Sequence, residues 1–477
     1  MFTPKSIFLV LTIIFMLANF ELAAQEKTIL QPPKVDKRVE LLGIVFRLAG
    51  SSEYSSKLFP KYVEKIEKHF SKYKNHELIS FTKNELRKKG VSFDAVMSMA
   101  VRISNPPQIK LLPFSEETID KRWNKSDMLK FVDLLNDFYE QANCQVFFSK
   151  NEVMYKLASE RYSRVYKKLD LNWYSSFYGT APKAKFTIVN GLGNGSGNYG
   201  PHVKLEKEKE IIYAITGVWK VDDSGMPKYK FDEYFPTLLH EFNHSFVNPT
   251  IIQHQDALEK SGKVIFKHVK NMMERIGYGN WRTMYFETLV RACVIKYLKD
   301  HSFDEDYVKE RLNHELAIGF LWTEELIAEL ERYDQNRKKY PTLESFIPEL
   351  VIFFSKVSSN FSNIEANFDK KRPKILQLKP FKNGSQLVVP NTKILQIYFN
   401  KKMRGSGFNY GQKGESAFPN IKNVTYSEDR MSVNIEMALQ ANKDYQMVLW
   451  GAFRSEEGFP LKDFEIHFKT VDFPDNN

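Results

Sequence analysis

Tyr234–Thr250 reads YFPTLLHEFNHSFVNPT, and the spacing inside it organises the reading of the whole chain. It contains His240-Glu241-Phe242-Asn243-His244, an H-E-x-x-H pattern. On a helix, positions i and i+4 share a face. The imidazoles of His240 and His244 can then converge on one metal ion. Glu241, one residue further round, can reach a water on that ion. The flanks support a helix: Leu238, Leu239, Phe242 and Phe246 form an apolar stripe, with His240, His244 and Asn248 on the other side. Pro236 suits a first turn, and Pro249 predicts a stop soon after Asn248. The plain alternative is a buried helix whose histidines hydrogen-bond to their neighbours.

A catalytic zinc takes three protein ligands and keeps one position open. Downstream, His254, His268, Glu274, Glu287 and His314 are available. The metzincin pattern would need Gly at 247 and His at 250, where the chain has Val247 and Thr250. Glu287 is the best third ligand. It lies in Tyr285–Leu298, YFETLVRACVIKYL, an apolar segment with helical period. A carboxylate buried there needs a partner. Arg291, four residues on, is one such partner. The two roles are compatible, with metal on one oxygen and Arg291 on the other. A cysteine-based zinc site is excluded, because Cys144 and Cys293 lack ligand spacing. Whether these two pair is left open.

At 477 residues the chain can bury ample core and hold two to four domains. An apolar fraction of 43% and an aromatic fraction of 14% exclude a disordered chain. The net charge of +11 is spread along the length without an Arg-rich patch, so nucleic acid is not an expected partner. Residues 1–24 read as a secretory signal: Lys5, the apolar run Ile7–Leu17, then Ala23-Ala24. That run is too short to span a bilayer, and no later segment is long and apolar enough. An exported protein, periplasmic or extracellular, is expected.

Residues 25–37 read as a linker and 38–145 as a mostly helical region, with Ser126 and Asp127 capping one helix. Residues 146–366 follow as the domain carrying the motif. Gln145–Phe148 reads as extended and Lys150–Leu169 as helical. Ala184–Val189 and Glu210–Trp219 read as two strands of a β-hairpin region. Between them lies Asn190–Gly200, NGLGNGSGNYG, read either as a flexible hairpin connection or as a rim beside the active site. Thr323 is expected to cap an amphipathic helix, and Leu343–Phe361 forms another. Lys370–Pro373 marks a linker. Residues 372–473 then turn to short strands: ILQL, SQLVV, ILQIYF, SVNIEM, YQMVLW and FEIHFKT, spaced as in a β-sandwich.

HEFNH on one helix with a glutamate on a later apolar helix resembles the gluzincin zinc metallopeptidases. HEFNHSFVNP with ETLVRA after it is similar to an uncharacterised domain family of secreted bacterial predicted metallopeptidases, over roughly residues 40–360. The resemblance implies an α+β fold with a zincin-like catalytic domain. It implies Zn2+ held by His240, His244 and Glu287, with Glu241 as general base acting on a peptide or protein substrate. Many gluzincins carry an acid four residues after the glutamate; here that position is Arg291, and Asn248 is the offered replacement. Tyr278, Tyr285 and His314 are candidates for stabilising the oxyanion. RPKILQLKP, TKILQIYFNKKM, LQANKDYQMVL and the closing FKT resemble a bacterial Ig-like domain of the S-layer-protein type, which implies a spacer or a surface-contact module. Two alternatives stay open: a non-enzymatic surface or binding protein, and a metal-dependent hydrolase of another substrate class.

Overall fold

The computed structural model describes residues 30–114, 119–180, 184–205, 209–412 and 414–472, so the expected signal at 1–24 lies outside the described residues. The chain is α+β and forms two compact units: Met1–Asn172 with Pro182–Phe242, and Trp173–Ala181 with Asn243–Asn477. The division falls within one continuous helix, between Phe242 and Asn243.

The first unit is built around α1 (Lys37–Leu48), buried at every position except Lys37 and Arg47. A helix apolar on all sides belongs at the centre of a core. Asp36 starts it, accepting from the Arg38 N–H at 2.9 Å and pairing with its guanidinium at 2.6 Å. Around it stand α2 (Pro60–Phe70), α3 (Glu77–Phe81), α4 (Asp94–Ala100), α5 (Lys125–Gln141) and α6 (Cys144–Tyr166). Their shared core continues through Val189, Val203 and Ile215, straight across position 145. Each fully buried large aliphatic or aromatic side chain there contributes roughly 1.5–3 kcal/mol. Two local expectations change. Gln145–Phe148 is helical, being the first turn of α6, with Phe147 and Phe148 buried. The cap of α5 is Asn124, whose Oδ1 accepts the Asp127 N–H at 2.8 Å. Within the expected linker, Lys34 forms a parallel bridge with Val189.

The sheet of this unit holds β1 (Ala184–Asn190), β2 (His202–Val203) and β3 (Glu210–Thr216) in the order β1-β3-β2. β1 and β3 run parallel, from Ala184↔Glu210 to Asn190↔Thr216, so they are not the expected hairpin. The antiparallel partner of β3 is β2, prolonged by the Tyr199↔Ile215 bridge. Parallel neighbours need a long crossover, and the glycine-rich stretch begins it.

In chain order α7 (Leu171–Tyr178) precedes the first sheet and α8 (Phe231–Gln253) follows it. The second unit continues with α9 (Gln255–Arg275), α10 (Trp281–Asp300), α11 (Glu305–Ala317), α12 (Thr323–Gln335), α13 (Leu343–Ser359) and α14 (Phe361–Lys371). Gly262 on α9 lets α10 approach, since a Cβ there would fall 2.5 Å from the Trp281 ring. Thr323 is not a cap: Trp322 holds that position, and the buried Thr323 hydroxyl donates to Phe320 O at 2.7 Å. Cys144 and Cys293 are both free and buried.

Two sheets complete the unit, β4-β5-β8-β7 and β10-β9-β6. Their strands are β4 (Ile375–Lys379), β5 (Ile394–Phe399), β6 (Tyr410–Gly411), β7 (Asn420–Tyr426), β8 (Ser432–Ala438), β9 (Asp444–Leu449) and β10 (Phe464–Lys469). Alternate residues Leu395, Ile397 and Phe399 meet Met447, Leu449, Ile466 and Phe468 in one core. The SQLVV segment forms no strand; only Val388 bridges, to Thr470. The expected linker at Lys370–Pro373 is helical as far as Lys371. Arg372 donates to Pro460 O and Leu461 O at 2.9 Å each, Lys462 pairs with Asp369 at 2.9 Å, and Phe368 meets the Phe459 ring. Among the described residues, no helix is long and apolar enough to cross a membrane.

Candidate metal centre

The motif helix α8 runs on through Pro249 to Gln253. A proline near a helix end costs one backbone bond, and here the Thr250 hydroxyl caps the preceding turn by donating to Phe246 O at 2.9 Å. Leu238, Leu239 and Phe242 are fully buried, and Phe242 packs on Phe186 of β1 with ring centroids 4.2 Å apart. The opposite face brings His240 and His244 out, half-buried, one turn apart. Among the described residues, His240, His244 and Glu287 form a group whose potential ligand atoms all lie within 4.8 Å of one another.

His244 has a defined tautomer. Its Nδ1 lies 3.0 Å from Asn248 Oδ1, which can only accept, so Nδ1 carries the proton. Nε2 faces Glu287 Oε1, 3.5 Å away. Asn248 thus supports the second motif histidine, whereas the resemblance offered it for the first.

Glu287 is 7% exposed on α10, a helix started by Asn280, whose Oδ1 accepts the Thr283 N–H at 2.9 Å. Its Oε2 accepts from the Tyr278 hydroxyl at 2.8 Å and lies 3.2 Å from Arg291 Nη2. Arg291 also donates to Tyr278 Oη at 2.8 Å and, through Nη1, to Glu315 Oε2 at 2.9 Å. Burial pulls the Arg291 guanidinium down, but Glu315, Glu287 and Tyr278 outweigh it and hold its pKa above the ordinary value. Arg291 therefore stays charged between two buried carboxylates. Oε2 of Glu287 is held from behind, and Oε1 faces His244.

Two residues of this arrangement went unnoticed in the sequence. Glu315 is 4% exposed on α11 and completes the Arg291 pairing. Asn243, inside the motif, is fully buried; its Oδ1 accepts from Tyr178 at 2.9 Å, and its Nδ2 reaches Val290 O at 3.5 Å. An amide within the apolar stripe of α8 was the available signal. Of the other candidates, Tyr278 joins the site through the turn at Gly277 (φ +90°). Tyr285 does not: it is fully buried, and its hydroxyl donates to Ser261 at 3.0 Å. His314 is exposed on α11. His268 stacks on Phe361, 4.4 Å between centroids, and His254 faces Glu344 at 3.9 Å.

The glycine-rich stretch is packed rather than loose. A Cβ at Gly217 would fall 2.2 Å from Gly195 O, and one at Gly197 would fall 2.5 Å from Tyr199 Oη. Leu192 and Gly193 donate their N–H groups to Glu40 at 2.6 and 3.2 Å. Gly200, at its far end, lies against Glu241: a Cβ there would sit 2.3 Å from Glu241 Oε2.

The donor set fits zinc. Two imidazoles and one carboxylate are one of the ligand sets that the borderline-soft Zn2+ takes at catalytic centres. Tetrahedral ligands at 2.0–2.2 Å stand roughly 3.3–3.6 Å apart, and the His244–Glu287 pair is already at 3.5 Å.

Comparison with known proteins adds the family and little else. No curated protein matches the sequence. Domains 1–6 of the surface layer protein SbsC align at 16% identity and a TM-score of 0.17, over 53% of this chain and 35% of that one. A crystal structure of the S-layer protein rSbsC aligns at 12% identity and a TM-score of 0.18, over 83% of this chain and 45% of that one. The chain thus spans less than half the length of either structure, and likeness at this level carries no argument about fold or function. Residues 33–353, which include every member of the metal group, match the model of a domain of unknown function, and the chain belongs to that family, DUF4932.

Proposed function

We propose that this protein is an exported zinc-dependent peptidase with a zincin-like catalytic domain and a C-terminal Ig-like sandwich of the S-layer-protein type, which serves as a spacer or surface-contact module. The supporting observation is the pairing of His244 Nε2 with Glu287 Oε1 at 3.5 Å. The other polar atom of each side chain is already committed, to Asn248 and to Tyr278 with Arg291. Such backing fixes the direction of both ligands. A purely structural ion would need no base beside it, yet Glu241 follows His240 directly.

When bound, zinc would supply Lewis acidity, acidifying a water and polarising the scissile carbonyl. Glu241 would take the proton from the attacking water and pass it to the leaving amine. His240 and His244 would act as neutral ligands, the latter kept in its Nδ1–H form by Asn248. Glu287 would supply the third ligand atom through Oε1. Tyr278, bonded to Glu287, is better suited to holding that ligand than to stabilising an oxyanion. At Gly200, flanked by the 199↔215 and 201↔213 ladder pairs, the backbone N–H and C=O face the outer edge of the sheet beside Glu241. An extended peptide could add there through main-chain bonds.

The deciding experiment combines metal analysis with cleavage of a broad peptide library, for the native protein and for Glu241→Gln. About one zinc per chain is expected, with cleavage reduced at least ~10³-fold by the substitution while zinc content holds. Zinc without any Glu241-dependent cleavage would favour a non-enzymatic metal site.

A further inference from the structure

We infer that Gly200 is a positioning residue for Glu241: the absence of a side chain there sets where the carboxylate of the motif glutamate rests. A Cβ at 200 would lie 2.3 Å from Glu241 Oε2 and 3.5 Å from its Cδ, with the next neighbour, Tyr213 O, at 3.9 Å. The obstacle is thus the Glu241 carboxylate and nothing else. Gly200 is not among the residues with positive φ, so space and not backbone conformation calls for glycine.

The backbone at 200 is held on both sides. Tyr199 exchanges two bonds with Ile215 at 2.9 Å each, and Pro201 O accepts from Tyr213 N–H at 2.9 Å. Further back, Gly217 presses against Gly195 O, and Glu40 holds Leu192 and Gly193. A rigid strand facing a flexible side chain decides which one yields. An alanine methyl would displace the Glu241 carboxylate by about 1 Å or more, to ordinary van der Waals distance, and leave the ladder in place. A displacement of that size at a catalytic group costs up to ~10²-fold in rate. The role of Glu241 as base rests on the peptidase reading; its contact with Gly200 does not.

The test is a pair of crystal structures, native and Gly200→Ala, with zinc content, melting temperature and kinetics measured on the same full-length preparations. The expected result is a carboxylate moved by about 1 Å, with the 199↔215 and 201↔213 pairs intact. Zinc content and melting temperature should hold, and kcat should fall ~10–100-fold with KM within about threefold. A Glu241 carboxylate that stays in place while the strand shifts would overturn the inference. If Gly200→Ala alone fails to fold, adding Glu241→Ala should restore the fold by removing the clash; failure to restore it also overturns the inference. A native protein that cleaves no peptide would defeat the peptidase reading, yet the carboxylate displacement would still decide this one.

Discussion

Glu40 on α1 and Glu287 on α10 occupy the same kind of place in the sequence, an acid within a strongly apolar helix, and both are buried. Their surroundings differ. Glu40 accepts two backbone N–H groups, from Leu192 and Gly193, and forms no ion pair among the described residues. Burial pushes its carboxyl up to about 8, against the hydrogen bonds from Tyr62, Leu192 and Gly193 that favour the charged form. Glu287 has Arg291 at 3.2 Å and Tyr278 at 2.8 Å on one oxygen, and a histidine opposite the other. A buried acid without a cation is a tether that keeps its proton. A buried acid backed by an arginine can hold its charge and present an oxygen to a metal.

The largest expected effect comes from deleting the second kind. Glu287→Ala should weaken zinc binding by about 10³-fold or more, beyond the 10–100-fold typical when a group that only orients a ligand is lost. Competition with a chelator measures this, and unchanged affinity would remove Glu287 from the ligand set. Arg291→Met would make the surroundings of Glu287 resemble those of Glu40. It leaves Glu287 buried without its cation and Glu315 with only Arg311, 4.0 Å away, and should cost ~3–5 kcal/mol in urea unfolding. A loss below about 1 kcal/mol would mean that the contrast between the two acids is not set by Arg291.

Glu40→Gln probes the other side through pH. The folded pKa of Glu40 lies above its unfolded value of ~4.3. Its contribution to stability is therefore present below that value and lost as pH rises through about 8. Relative to the native protein, Glu40→Gln should gain roughly 2–4 kcal/mol between pH 5 and pH 9. Parallel pH profiles for the two proteins would show that Glu40 is ionised throughout. The smallest effect is expected for Tyr278→Phe, which removes the bond to Glu287 and the one accepted from Arg291, and leaves the Arg291–Glu287 pair in place. About 1 kcal/mol of stability and up to tenfold in zinc affinity should go, with Glu241-dependent cleavage retained. Loss of cleavage at full zinc occupancy would instead return Tyr278 to the oxyanion.

The same contrast shows what the sequence disclosed. Glu287 stood out because YFETLVRACVIKYL is long enough for helical period to show. Glu40 did not, because RVELLGIVFRL is apolar all round and reads equally as strand or helix. The motif histidines were legible because a helix turns i, i+4 spacing directly into geometry. Partners from elsewhere in the chain were not: nothing local says that Glu315 meets Arg291, or that Tyr278 reaches Glu287 while Tyr285 turns to Ser261. β1 and β3 were visible as strands, but their parallel pairing depends on a crossover that no alternation pattern records. The end of α8 was misplaced because a proline near the last turn removes only one bond.

The seam between α14 and the two sheets behaves as a weld. Helix runs up to Lys371, and the very next side chain clasps two carbonyls of the sandwich, with an ion pair and a ring contact alongside. A hinge would let a load on the sandwich dissipate as rotation. Here a load would travel into α14 as bending moment, and proteases that favour slack connections should find no preferred cut at residues 370–373.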